Sequence, residues 1–82
     1  MIRALVLALI VAAASTPALA CADRAERTIG NVQRDISDGN VARTVGERLI
    51  GELRQAAEAC RAGRAAQGEA TINRIARTYN YR

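Results

Sequence analysis

The stretch that decides the fold lies at residues 41–62 and reads VARTVGERLIGELRQAAEACRA. At about 100° per residue, its apolar positions share one helical arc of roughly 180°. These positions are Val41, Ala42, Val45, Gly46, Leu49, Ile50, Leu53, Ala56, Ala57 and Cys60. Because a single partner helix needs only a narrow seam, so wide an arc predicts a central helix that contacts two neighbouring helices.

Residues 21–38 predict the first of these neighbours. Their apolar positions recur at spacings of 3, 4, 3 and 4, which places Ala22, Ala25, Ile29, Val32 and Ile36 on one stripe. The turn follows at residues 38–40, where Gly39 suits the left-handed conformation that ends a helix and Asn40 suits the cap of the next. So short a connection predicts an antiparallel hairpin.

Residues 64–79 predict the last helix. Its apolar side consists of Ala65, Ile72, Ile75, Ala76 and Tyr79, and Gly68 weakens it near its start. One alternative is a single long helix through Gly63, since an interior glycine costs only about 1 kcal/mol. Residues 80–82 are expected to fray. The predicted fold is therefore an all-α, three-helix domain over residues 21–82.

The exposed side of the central helix carries alternating charges. Three pairs lie four residues apart, each with arginine first: Arg43–Glu47, Arg48–Glu52 and Arg54–Glu58. Pairs at this spacing stabilise a helix by a few tenths of a kcal/mol. They predict a solvated face rather than a catalytic cluster of carboxylates.

Residues 1–20 predict a secretory signal peptide. Arg3 precedes an apolar run at residues 4–14, Pro17 is expected to break the helix, and residues 18–20 form the small-x-small site of a signal peptidase. The run is too short to span a bilayer. A periplasmic or secreted protein is therefore expected, with an uncleaved membrane anchor as the alternative.

The exact cleavage position stays open. Cleavage after Ala20 makes Cys21 the first mature residue, whereas cleavage after Ala22 discards it. In a third alternative, residues 18–21 form a lipoprotein box and Cys21 is acylated, although Ala18 occupies the position that usually holds leucine.

The two cysteines predict a disulfide between Cys21 and Cys60. Their midpoint, 40.5, falls inside the predicted turn, so both residues lie side by side in the hairpin. An exported chain permits the bond. Residues 21–82 hold only ten Ile, Leu and Val residues, and a core this small typically needs such a staple. A redox pair and an intermolecular bond are the competing interpretations.

The composition argues against catalysis. The chain has no His and no Lys, and Ser37 is the only serine after residue 20. A nucleophile without an adjacent base is weak, and two cysteines without histidine cannot complete a zinc site. The glycines at positions 63 and 68 have phosphate-loop spacing but lack the Lys and Ser/Thr of that motif. We expect no enzymatic activity, no cofactor and no metal.

Charge is unevenly distributed along the mature chain. Without Arg3, the chain carries eleven arginines and eight acidic residues, a net charge of +3, which is too mild for a dedicated nucleic-acid binder. Residues 61–82 hold five of these arginines and one acid, Glu69. The candidate interaction surface combines arginines and tyrosines of this segment, namely Arg74, Arg77, Tyr79, Tyr81 and Arg82.

The sequence therefore predicts an exported, non-enzymatic protein with a binding or structural role in the cell envelope. Its partner is expected to be another protein or an anionic envelope component, with peripheral membrane contact and homo-oligomerisation as further options. One alternative function is binding of anionic membranes or polymers through the basic C-terminal helix. Another is enzyme inhibition.

Overall fold

The protein is a three-helix structure. The computed structural model describes the backbone of residues 2–81 and the side chains of residues 18–81. It contains α1 (Ile2–Ser37), α2 (Arg43–Arg61) and α3 (Ala65–Tyr79), with no strand in the described part of the chain. The all-α prediction is confirmed. The alternative of one long helix through Gly63 is wrong, because α2 and α3 are separate.

The N-terminal helix is longer than the predicted one, which began at residue 21. α1 continues through Pro17, where a break was expected. Alanine and leucine at positions 18–20 favour a helix, and a proline removes only one backbone donor. Residues 1–17 of the predicted signal peptide lie outside the part whose side chains are described. No helix within the described residues is long and apolar enough to cross a membrane.

All three helices end with a residue in the left-handed conformation. Gly39 has φ of 78°, Gly63 has φ of 84° and Asn80 has φ of 62°. After α1, the Asn40 amide donates to the Asp35 carbonyl at 2.9 Å, and after α2 the Arg64 amide donates to the Ala59 carbonyl at 2.8 Å. These bonds satisfy carbonyls that the helix leaves free, so both predicted glycine stops are correct.

Two predictions about helix ends are wrong. Asn40 does not cap α2, because α2 begins at Arg43 with Ala42 at the N-cap and no side-chain cap bond. Residues 80 and 81 are not frayed: the Tyr81 amide donates to the Ala76 carbonyl at 2.8 Å. The left-handed Asn80 turns the chain back towards α1, where the Tyr81 side chain finds a partner.

The hydrophobic core lies where α2 contacts both other helices. α1 contributes Ala25, Ile29 and Val32 to it, and α3 contributes Ile72 and Ile75. α2 contributes the largest share: Leu49, Ile50, Leu53, Ala56, Ala57 and Cys60. This arrangement confirms the prediction, made from the width of its apolar arc, that the central helix has two neighbours.

The disulfide joins the interior of α1, at Cys21, to the C-terminal end of α2, at Cys60. Cys21 and Cys60 are both fully buried, with Cα atoms 5.7 Å apart. The predicted pairing is confirmed, and with it the antiparallel hairpin. α3 covers the bond, because a Cβ atom on Gly68 would lie 2.6 Å from the Cys60 sulfur.

Two of the three ion pairs of the described residues connect α2 to a neighbouring helix, and the third lies within α2. Glu52 accepts a 2.6 Å bond from Arg74 of α3 instead of pairing with Arg48. Glu58 pairs with Arg61 at 3.9 Å, and Arg61 also reaches Glu26 of α1 at 3.6 Å. The predicted pairs of these glutamates with Arg48 and Arg54 are therefore wrong, because Glu52 pairs with Arg74 of α3 and Glu58 pairs with Arg61, three residues further along α2.

Candidate functional site

A basic concave surface lies between α1 and the C-terminal end of α3. Its main cavity has a volume of about 590 Å³ and is lined by Arg24, Arg27, Thr28, Gly30, Asn31, Arg34, Ala76 and Tyr81. A second cavity of about 400 Å³ shares Ala76 and Tyr81 with the first and adds Asn73, Arg77 and Asn80. We call seven polar residues of these two cavities the arginine groove: Arg24, Arg27, Asn31, Arg34, Asn73, Arg77 and Tyr81.

The α1 wall of the arginine groove is one helical stripe. Arg24, Arg27, Asn31 and Arg34 follow each other at spacings of 3, 4 and 3, which places them within an arc of about 80°. Arg24 and Asn31 are half-buried, whereas Arg27 and Arg34 are exposed. The stripe thus presents three guanidinium groups along one flank of the helix.

A direct hydrogen bond joins the two walls. The Nη2 atom of Arg24 donates to Oδ1 of Asn73 at 2.6 Å. Within the described residues, the Asn73 amide nitrogen and the remaining Arg24 donors form no other side-chain hydrogen bond. Arg77 lies one helical turn beyond Asn73, so α3 adds a fourth guanidinium group to the arginine groove.

Tyr81 closes the C-terminal end of the arginine groove. Its hydroxyl donates to Oδ2 of Asp35 on α1 at 2.7 Å. Burial raises the pKa of Tyr81 well above its usual value, and the hydrogen bond to the Asp35 carboxylate and its negative charge act in the same direction. The hydroxyl therefore stays protonated at neutral pH and remains a donor.

The guanidinium groups of the arginine groove are available for an anion. None of the four pairs with a carboxylate of the described residues, whereas Arg61 and Arg74 do. Asp35 is the acidic side chain at the edge of the groove, and Tyr81 already bonds to one of its oxygens. Three arginines thus line the main cavity and Arg77 lines the adjoining one, while Asp23 and Glu26 line a further cavity beside Arg24 and Arg27.

The predicted interaction surface at the basic C-terminal end is divided by the structure. Arg77 and Tyr81 lie in the arginine groove, but Arg74 faces α2 and pairs with Glu52. Tyr79 is half-buried against the core, with its ring centroid 6.3 Å from that of Tyr81. Arg82 lies outside the described residues.

Sequence reasoning missed Arg24, Arg27 and Arg34. Residues 21–60 as a whole hold more acidic residues than arginines, so their net charge conceals the local excess of arginine on α1. The signal that could have identified them is the 3, 4, 3 polar spacing on α1.

The disulfide also bears on the modification of Cys21. A sulfur atom bonded to Cys60 cannot carry the thioether-linked lipid of a lipoprotein. The same bond requires Cys21 to remain in the mature chain, which argues against cleavage after Ala22. Of the three alternatives for processing, cleavage after Ala20 fits the bonded structure.

No metal centre is evident in the described part of the chain, which contains no group of three or more potential ligands. A scan against protein-family models, a search of curated proteins and a search of solved structures each found no match to this chain. The function must therefore be argued from the residues themselves.

Proposed function

We propose that this chain is an exported, non-enzymatic binding protein of the cell envelope that holds an anionic ligand in its arginine groove. The observation that carries the proposal is that three arginines of α1 line one cavity and Arg77 of α3 lines the adjoining one, and none of the four forms an ion pair within the described residues. A guanidinium group offers a planar fork of donors that matches carboxylates and phosphates.

The disulfide supports the exported location. Such bonds persist in oxidising compartments and are rare in the cytosol. The fully buried Cys21–Cys60 bond lies at the centre of three packed helices, so it is a structural bond rather than an exposed redox pair. Together with the apolar run and the small-x-small site before Cys21, it favours a periplasmic or secreted protein.

Embedding in a membrane is less well supported than binding of an anion. Leu19 is the exposed large hydrophobic residue of the described part, at 64 % exposure. It lies before the favoured cleavage site and leaves with the signal peptide. The mature surface then offers electrostatic contact without an apolar anchor.

The proposal is tested with the oxidised mature protein, residues 21–82, whose processing is first checked by the intact mass of the exported chain. Binding of long-chain polygalacturonate and of poly(glycerol phosphate) is measured by titration calorimetry at low salt. Arg27→Gln/Arg34→Gln removes two charges from the groove, and Arg43→Gln/Arg48→Gln removes two from the outer face of α2.

We expect the wild-type protein to bind at least one of the two polymers. The groove variant should bind roughly tenfold or more weakly, and the α2 variant should bind about as well as wild type. Equal losses in both variants would mean that net charge alone attracts the polymer. Absence of binding by the wild-type protein would overturn the proposal.

A further inference from the structure

We infer that the ligand of the arginine groove is an extended anionic polymer that lies along α1, rather than a single small anion. This inference rests on the proposed function and specifies its ligand. Arg24 and Arg34 are ten residues apart, which corresponds to about 15 Å along the helix axis. One phosphate or carboxylate could contact both guanidinium groups only if both side chains extended towards each other along the helix, whereas successive anionic groups can contact each arginine separately.

The shape of the site also favours an elongated ligand. The two cavities, of about 590 Å³ and about 400 Å³, adjoin at Ala76 and Tyr81. A chain that follows α1 past Arg34 and Arg27 towards Arg24 passes Arg77 on the opposite wall. A ligand that lies along the groove therefore contacts one arginine after another. This arrangement suits a polymer with one anionic group per repeat.

The neutral groups between the arginines indicate a hydroxyl-bearing repeat. Asn31 lies between Arg27 and Arg34, and its side-chain amide can both donate and accept hydrogen bonds. Asn73 keeps its amide nitrogen free while its oxygen accepts from Arg24. This donor set suits a polymer whose repeat carries an anionic group and free hydroxyls, such as a polyuronate or a polyol phosphate.

The aromatic side chain of the groove argues against a single-stranded nucleic acid. Proteins that bind such strands offer aromatic faces on which bases stack. The ring of Tyr81 stacks on Tyr79 at 24° between planes, and its hydroxyl is bonded to Asp35. One face of the one aromatic ring that lines the two cavities is thus packed on Tyr79, so the groove offers mainly charge and hydrogen bonds.

The inference is tested by the dependence of affinity on ligand length. Calorimetry compares the monomer, the trimer and the long polymer in a galacturonate series and in a glycerol phosphate series. Affinity should rise roughly tenfold or more once the ligand reaches all four arginines, because the later contacts form intramolecularly. The slope of log K against log salt should be on the order of −3 for the polymer.

Variants at the ends of the groove separate the outcomes. Arg34→Gln and Arg77→Gln should each weaken binding of the polymer, whereas Arg74→Gln, which removes the arginine paired with Glu52, should leave it unchanged.

If the monomer binds as tightly as the polymer, the inference fails while the proposed function stands. If neither series binds, both fail. Tighter binding to oligo-dT or to anionic vesicles would also overturn the inference.

Discussion

Gly68 lies where α3 crosses the buried disulfide. A Cβ atom at this position would lie 2.6 Å from the Cys60 sulfur and 2.7 Å from the Ala56 carbonyl oxygen. Neither atom is the end of a flexible side chain, so α3 would have to move away from α2. A residue that the sequence marks only as a weak helix former thus lies at a point of close contact between α2 and α3.

We expect Gly68→Ala to lower the free energy of unfolding by about 1–3 kcal/mol, the usual cost of overpacking. The matched control is Gly51→Ala on α2, where the new methyl group meets no atom within 4 Å. That variant should gain up to about 1 kcal/mol from helix propensity. Urea unfolding of the oxidised mature protein measures both, and equal stability of the two variants would contradict the close contact.

At the scale of the element, the pattern of apolar residues predicted most of the architecture. α2 and α3 begin and end within two residues of their predicted bounds, because Gly39 and Gly63 stop the preceding helices by the expected geometry. The start of α1 was not predicted, because a proline such as Pro17 disfavours the interior of a helix but does not always end the helix. Ion pairs such as Glu52–Arg74 also escaped prediction, because they depend on which helix packs nearby.

The disulfide couples these elements. Replacing Cys21 and Cys60 together by alanine should cost about 3–4 kcal/mol, because the bond closes a loop of 39 residues in sequence separation. A core this small stabilises the fold too little to compensate for the loss of the disulfide. Circular dichroism should show the double variant largely unfolded at 37 °C, whereas melting identical to wild type would show that packing alone holds the helices.

At the scale of the whole molecule, the arginine groove arises only when α3 returns beside α1. Arg24 and Arg77 are far apart in sequence, and Asn80 is the residue whose left-handed conformation brings Tyr81 to Asp35. The sequence predicted a basic surface at the C-terminal end, and two residues of that prediction, Arg77 and Tyr81, line the arginine groove. The sequence alone could not show that Arg24, Arg27 and Arg34 line the groove, because their position depends on which flank of α1 faces α3.

The central claim, that the arginine groove is the binding surface of this protein, is tested most directly by arginine side-chain NMR. The oxidised mature protein is titrated with a polyuronate or polyol phosphate chain, and the Nε–Hε resonances of the arginines are followed. The account predicts shifts that are largest at Arg24, Arg27, Arg34 and Arg77. It also predicts little change at the exposed α2 arginines, Arg43, Arg48 and Arg54. Shifts centred on the α2 arginines, or spread evenly over all of them, would contradict it.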